Sequence, residues 1–414
     1  MAYTGKMELL CPAGSMDALE AALHFGADAV YAGMKRFGLR AFAGNFDEPS
    51  LRMAVEKTHR AGKKFYLTMN VFPYDDQLEA FVGAARLAHA IGVDAAIVSD
   101  LGAIVTLRRE VPGLPIHVST QASTVNSAAV EHYRQLGCQR VILAREVSIE
   151  RAGKINANLE EQMELEMFAH GASCMAWSGR CMLSAEMTGR SANQGACAQP
   201  CRWQYAVMEM KRPGEYMPVC EDENGTYIFS AKDLNLMPVL PEMKRAGIAS
   251  LKVEGRMKTE YYVATVAAAY RRGIDILEQQ GEEAFRAALP SLMEELSCAS
   301  HRDSDTGFAV TAPEQPAGAE GFHQTREYIA KVAEDCPDGK GVRFLLKNRF
   351  FAGDELELLT PSGVKMLTAP RFIREKTGEE CDTLGIGGEI ICMDLPFGVE
   401  KGDILRGPVR NHRG

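Results

Sequence analysis

The chain has 414 residues, 46% of them hydrophobic and 24% charged, with a formal net charge of −9. That size supports one large and one small globular domain, and no apolar run approaches the ~20 residues of a membrane-spanning helix. The acidic balance excludes a surface coated in basic residues for nucleic acid, while leaving room for a local basic site.

Residues 7–280 alternate short apolar segments with amphipathic ones. The predicted strands are MELLC (7–11), DAVYA (28–32), KFYLTM (64–69), DAAIVS (94–99), PIHVST (115–120), RVILA (140–144), LEMFAH (165–170) and SLKVE (250–254). Their near-continuous apolar character fits parallel strands buried on both faces. Helices are predicted at 16–25, 50–61, 77–91, 101–110, 124–137, 147–156, 232–247 and 258–280. Ala21, Ala22 and Phe25 mark one helical face, and Leu78, Phe81, Val82 and Ala85 another. Eight strand–helix units in this length predict a (β/α)8 TIM-like barrel. The rival, a doubly wound open sheet, lacks a G-x-G-x-x-G after the first strand.

Barrel chemistry gathers at the C-terminal ends of the strands. Those ends carry Tyr31, Asn70, Asp100, Gln121, Arg145, Glu146, His170, Glu254 and Arg256, an expected polar ring. A long insertion at 171–231 follows strand seven and should cap the same mouth. His170 reads as a proton-transfer group or as a satisfied structural histidine. Lys252, Glu254 and Arg256 alternate opposite Leu251 and Val253 and so share one face. That set suits an anionic substrate, with Arg offering a bidentate fork, or else a structural ion network that also includes Glu8. Cys11 reads as a core thiol between apolar neighbours, and Cys138 and Cys220 as structural.

The insertion concentrates cysteine. Cys174, Cys181, Cys197 and Cys201 are spaced C-x6-C-x15-C-x3-C within 28 positions, while the other seven are scattered over the rest of the chain. Glycine-containing turns between them allow the loops to fold back and bring thiolates together. An odd total of eleven cysteines, and an N-terminus without a signal-peptide pattern, point to a reducing cytoplasm rather than to disulfides. Four converging thiolates suit zinc or an iron–sulfur cluster, and the absence of a C-x-x-C pair leaves the choice open. From Cys174 to Arg212 five basic residues (Arg180, Arg190, Arg202, Lys211, Arg212) face two acidic ones (Glu186, Glu209). Trp177, Trp203 and Tyr205 interleave with them, a mixture that suits stacking on an unpaired base or shielding of a cluster.

The run from Glu166 to Ser184 resembles the signature of the peptidase U32 family, with Glu166, Phe168, Gly171, Ala172, Cys174, Gly179, Cys181, Leu183 and Ser184 in place. Ser173 departs from the aliphatic residue expected there. ELLCPAGS (8–15), GADAVYAG (26–33), NQGACAQPCRW (193–203), EDENGTYIFSAKDL (221–234) and SLKVEGRMK (250–258) resemble the same family. Within it the chain is most similar to the tRNA hydroxylation branch. The resemblance implies oxygen-independent formation of 5-hydroxyuridine at the tRNA wobble position, a [4Fe–4S] cluster on the four cysteines, and prephenate as hydroxyl source. It also implies tRNA, a small anionic co-substrate and a redox partner as the molecules met by the chain, with no membrane.

Residues 281–325 read as a charged helix and a linker rich in Gly and Pro, and 326–414 as a small β-barrel of short strands separated by turns such as PDGK and PSGV. The expected catalytic residues are His170 and Glu254. Arg180, Lys252, Arg256, Asn70, Gln121 and Arg145 are the expected substrate-binding residues, and Cys174, Cys181, Cys197 and Cys201 the expected metal ligands. Two rivals stand beside the hydroxylase. One is a U32-type (collagenase-like) peptidase using a Cys181–His170 pair, although the chain has no HExxH or G-x-S-x-G. The other is a non-catalytic iron–sulfur or zinc RNA-binding protein.

Overall fold

Eight parallel strands close on themselves: β1 (Glu8–Pro12), β2 (Ala29–Gly33), β3 (Lys64–Met69), β4 (Ala95–Val98), β5 (Ile116–Val118), β6 (Arg140–Ile142), β7 (Glu164–Ala172) and β8 (Ser250–Val253). Each pairs with the next, and β8 pairs with both β7 and β1 to complete the barrel. The computed structural model describes residues 5–35, 37–38, 45–174, 177–203, 206–208, 216–218, 232–310, 322–385 and 387–410.

Helices α1 (Met16–His24), α2 (Glu48–Arg60), α3 (Asp75–Ile91), α4 (Leu101–Glu110), α5 (Ser127–Gln135) and α6 (Ile149–Ala157) follow the first six strands. Ser15, Asp47, Asp100, Asn126 and Ser148 each accept a backbone N–H in the first turn of the helix they precede. Such caps satisfy amide donors that have no partner inside a helix, and they fix where each loop ends. The insertion contains a short helix α7 (Leu183–Thr188), and α8 (Leu240–Arg245), α9 (Glu260–Gln279) and α10 (Glu282–Ser297) complete the set. The apolar core lies between strands and helices, where Leu9, Val30, Leu67, Val98 and Leu251 meet the helical faces.

One expected helix is not continuous. Residues 232–247 form a short strand (Asp233–Asn235), a 3-10 turn (Met237–Val239) and only then α8. Pro238 and Pro241 lack the N–H that a helix interior requires, so the segment breaks there. Asp233–Asn235 instead pairs antiparallel with the end of β7.

The C-terminal unit is wholly antiparallel. Strands β9 (Arg326–Val332), β10 (Val342–Leu346), β11 (Glu355–Thr360), β12 (Gly363–Thr368), β13 (Phe372–Arg374), β14 (Ile390–Met393) and β15 (Ile404–Pro408) join the pair Glu380–Cys381 in one sheet. Its separate core includes Val342, Phe344, Leu346 and Ile391, and the alternating burial of β10 supplies three of these side chains. Docking onto the barrel is specific. Arg406 of β15 is buried and bonds both carboxylate oxygens of Glu295 on α10 at 2.5 and 2.9 Å, and Tyr328 stacks on Tyr261 with ring centroids 5.3 Å apart. No helix among the described residues is long and apolar enough to cross a membrane.

Candidate active site

Inside the barrel the side chains sort by depth. At the N-terminal end Arg140 is held by Glu8 (2.6 Å), Glu166 (3.0 Å) and Glu164 (2.7 Å). Burial would raise the pKa of Glu8, but the Arg140 guanidinium outweighs it and keeps the carboxyl below its ordinary range. Tyr66 and Ser250 also donate hydroxyl hydrogens to Glu8, at 2.8 and 2.9 Å. Above this ionic plug Leu10, Ala29, Tyr31, Ala95, Ile97 and Ile142 make an apolar layer.

Above that layer lies a cavity of about 400 Å³ at the C-terminal mouth. Of the residues expected there, Asn70, Gln121, Arg145, Lys252, Glu254 and Arg256 all line it, and so do Cys174, Cys181, Cys197 and Cys201. Strand ends and insertion therefore meet, as barrel geometry requires.

The cations are not equivalent. Lys252 donates to Glu166 at 2.9 Å and lies 4.4 Å from the centre of the Tyr31 ring, so its charge is largely spent inside the barrel. Arg256 is buried and donates to the Thr68 hydroxyl at 3.0 Å. Gly33 makes room for it, since a Cβ there would stand 2.3 Å from its Nη1. Arg145 stacks on the Phe168 ring at 4.6 Å, and no carboxylate pairs with it among the described residues. Arg180 is exposed and does not line the cavity. Lys211, Arg212, Tyr205 and Cys220 lie outside the described residues.

His170 departs from expectation. Simple alternation along β7 turns it inward, but the register against β8 shifts: Phe168 pairs with Lys252, and the next partners are His170 and Val253. The extra residue is a bulge, which reverses the side on which the following side chain emerges. His170 accordingly sits with Val253 on the outer face, between Tyr262 (6.2 Å) and Tyr270 (5.5 Å), and is absent from the cavity wall. It is 6% exposed. Burial lowers its pKa to about 4, and the opposing pull of Asp233 is weaker. Cys181 lines the cavity and His170 does not, which separates the two members of the supposed thiol-protease pair.

Glu254 follows β8 directly and faces the cavity. The Tyr31 hydroxyl donates to the Val253 carbonyl at 2.9 Å, with Glu254 Oε2 a longer second acceptor at 3.4 Å, and the Glu254 backbone carbonyl accepts from Tyr262 at 3.1 Å. Thr68, Ser119 and Thr120 also reach the cavity wall, though only the barrel's closure identifies them.

The insertion is tied to the strand ends by short bonds. Ser178 donates its backbone N–H to Glu146 at 2.7 Å, and the Trp177 indole N–H donates to Ser123 Oγ at 2.7 Å. Gly179 has φ +71°, and a Cβ there would come within 2.1 Å of the Gln121 carbonyl oxygen. Further along, buried Ser184 donates to the Arg190 carbonyl at 2.7 Å and accepts from Ala198 N–H at 3.0 Å, fastening the two cysteine-bearing loops together.

None of the four thiols is in a disulfide; Cys174 is exposed and the other three half-buried, unlike Cys11, whose pKa burial pushes far up. Cys197 Sγ accepts the Gln199 backbone N–H at 3.4 Å. Among the described residues no three His, Cys, Asp or Glu stand close enough to hold a single metal ion. Four cysteines lining one cavity are a soft donor set whose chemistry suits zinc or an iron–sulfur cluster.

The model for peptidase family U32 matches residues 14–318, and that for the U32 C-terminal domain matches 324–406. The chain belongs to peptidase family U32. This U32 chain is 37% identical over 437 aligned positions to the tRNA hydroxylation protein P of Escherichia coli, covering 95% of each. It is 36% identical over 279 positions to a 23S rRNA 5-hydroxycytidine synthase of the same organism, covering 67% of this chain and 41% of that one. A collagenase of Porphyromonas gingivalis is 35% identical over 278 positions, covering 65% of each. The U32 family thus includes proteins with both kinds of name.

Proposed function

We propose that this chain is an oxygen-independent RNA hydroxylase, acting on uridine of tRNA at the wobble position with a carboxylated, prephenate-like hydroxyl donor. The observation that carries the reading is the cavity itself: one exposed and three half-buried thiols share it with an arginine that has no carboxylate partner among the described residues and with Glu254. Near-full-length similarity to a tRNA hydroxylation protein supports it.

The exchange is balanced without oxygen. The donor's C–O bond breaks and a C–H bond forms in its place with the proton lost by the RNA, so the donor is reduced by two electrons, while the RNA carbon exchanges C–H for C–OH and is oxidised by two. Arg145 and Arg256 fit the donor's carboxylates, since guanidinium offers parallel donors to a carboxylate. Asn70 and Gln121 supply neutral hydrogen-bonding groups on the same cavity lining. Glu254, steadied by the Tyr31 hydroxyl, is the cavity carboxylate able to take the proton from the RNA carbon. Cys174, Cys181, Cys197 and Cys201 would hold a [4Fe–4S] cluster, which when bound supplies electron transfer at the mouth.

The test is iron, zinc and acid-labile sulfide on anaerobically purified protein, together with nucleoside mass spectrometry of tRNA from cells lacking the protein. Iron and sulfide near four per chain, lost in Cys197→Ala, with 5-hydroxyuridine derivatives gone from the tRNA, is the expected result. Tightly bound zinc without sulfide, or unchanged 5-hydroxyuridine derivatives, overturns the corresponding part. A peptidase reading has the collagenase relative in its favour, but it needs a nucleophile other than a Cys181–His170 pair.

A further inference from the structure

Trp177 is an exposed aromatic on a loop that is nonetheless fixed. Its ring is 54% exposed and lines the cavity mouth. An exposed indole ordinarily keeps its rotamer freedom, yet this one donates Nε1–H to Ser123 Oγ at 2.7 Å. Ser123 holds a left-handed backbone conformation, φ 59°, an uncommon one for serine, and it closes the turn after β5. Immediately after the indole the loop is pinned by the Ser178–Glu146 bonds and by the close passage of Gly179 over Gln121. Arg180, exposed and three residues after Trp177, presents a positive charge on the same turn. Met182 (67% exposed) lines the mouth as well, and Trp203 (47% exposed) is the chain's other tryptophan.

A pinned apolar ring that stays in water beside a cation, at the entrance to a reaction cavity, is complementary to a flat apolar group attached to an anion. A nucleobase with its phosphate is such a group. We propose that Trp177, held by Ser123, is a stacking platform for an unpaired nucleobase at the cavity mouth, with Arg180 meeting the adjoining phosphate. The proposal rests on the RNA-hydroxylase reading and deepens it: it requires single-stranded RNA and assigns the contact that holds a base beside the cavity. Stacking is indifferent to base identity, so the platform positions a splayed-out nucleotide, and sequence selection has to come from elsewhere.

Fluorescence anisotropy of a labelled RNA hairpin with a seven-nucleotide loop, against a blunt duplex of equal length, tests this on the full chain over a range of salt. Trp177→Ala is expected to weaken hairpin binding roughly 5- to 150-fold while leaving the salt slope unchanged, because a stacked ring neutralises no phosphate. Trp177→Phe should recover most of the affinity, and Ser123→Ala, which keeps the ring but releases it, should fall between. Arg180→Ala should instead flatten the slope by about 0.7. Should Trp177→Ala and Ser123→Ala both bind the hairpin like the unaltered protein, the platform is refuted while the RNA reading stands. A slope that changes together with affinity in Trp177→Ala means a collapsed loop and also refutes it. Failure of the unaltered protein to bind either RNA overturns the RNA reading and the platform with it.

Discussion

Lys252 Nζ lies 2.9 Å from Glu166 Oε1, both side chains buried inside the barrel, and Glu166 also receives Arg140 at 3.0 Å. The lysine that alternation places in the cavity is therefore first a structural counter-charge. Lys252→Met should leave part of the Glu166 charge uncompensated and cost roughly 3 kcal/mol in urea denaturation. The double variant Glu166→Gln, Lys252→Met should regain most of that loss. Equal losses in the single and double variants would mean that the pair is not coupled.

Arg145 carries the opposite expectation. Its guanidinium stacks on the Phe168 ring, a contact worth about 0.5–1 kcal/mol, while its backbone N–H donates to Ser178 Oγ at 3.4 Å whatever the side chain. Arg145→Ala should change stability by less than about 1 kcal/mol, yet raise the KM for an anionic co-substrate roughly 10- to 100-fold with a smaller change in kcat. Arg145→Lys should recover only part, since an ammonium lacks the planar fork. A KM unchanged in both variants would assign the anion to Arg256.

Gly179 tests the attachment of the cysteine loop. A methyl group at this position meets the Gln121 carbonyl at 2.1 Å and a φ of +71°, so Gly179→Ala should cost more than about 1 kcal/mol locally. Because the barrel core is untouched, the global denaturation midpoint should move little. Alkylation of Cys181 in metal-free protein should accelerate. Unaltered alkylation rates would show that the loop is held by its other bonds.

His170 gives a pH signature. Its folded pKa, lowered to about 4 by burial, lies below the ordinary 6.5. Above about pH 6.5 the ring is neutral both folded and unfolded, and its contribution is intact. As pH falls toward 4 the unfolded chain takes up a proton that the folded one refuses, so stability declines by roughly 3 kcal/mol. Urea midpoints measured from pH 7 to 4.5 should fall less in His170→Gln than in the unaltered protein. Parallel curves would contradict the placement of His170 in a dry site.

Sequence determined the frame. Eight apolar segments of strand length, each followed by a helical face, leave a closed parallel barrel as the economical way to bury both sheet faces, and the observed strands fall within two residues of those expected. The crowding of Cys174, Cys181, Cys197 and Cys201 is also a local signal, and the place where the insertion leaves β7 puts it at the mouth. Tertiary structure decided the rest. One extra residue in β7 sends His170 to the outer face, and no periodicity within the segment announces it, because a bulge is defined by the partner strand. Whether Lys252 serves a ligand or Glu166, and whether Arg140 plugs the barrel, depends on charges more than twenty residues distant in sequence. Those choices are set by the barrel's closure, which brings β1, β6, β7 and β8 to one axis. Alternation tells which side of its own strand a side chain leaves; what it meets there belongs to the other strands.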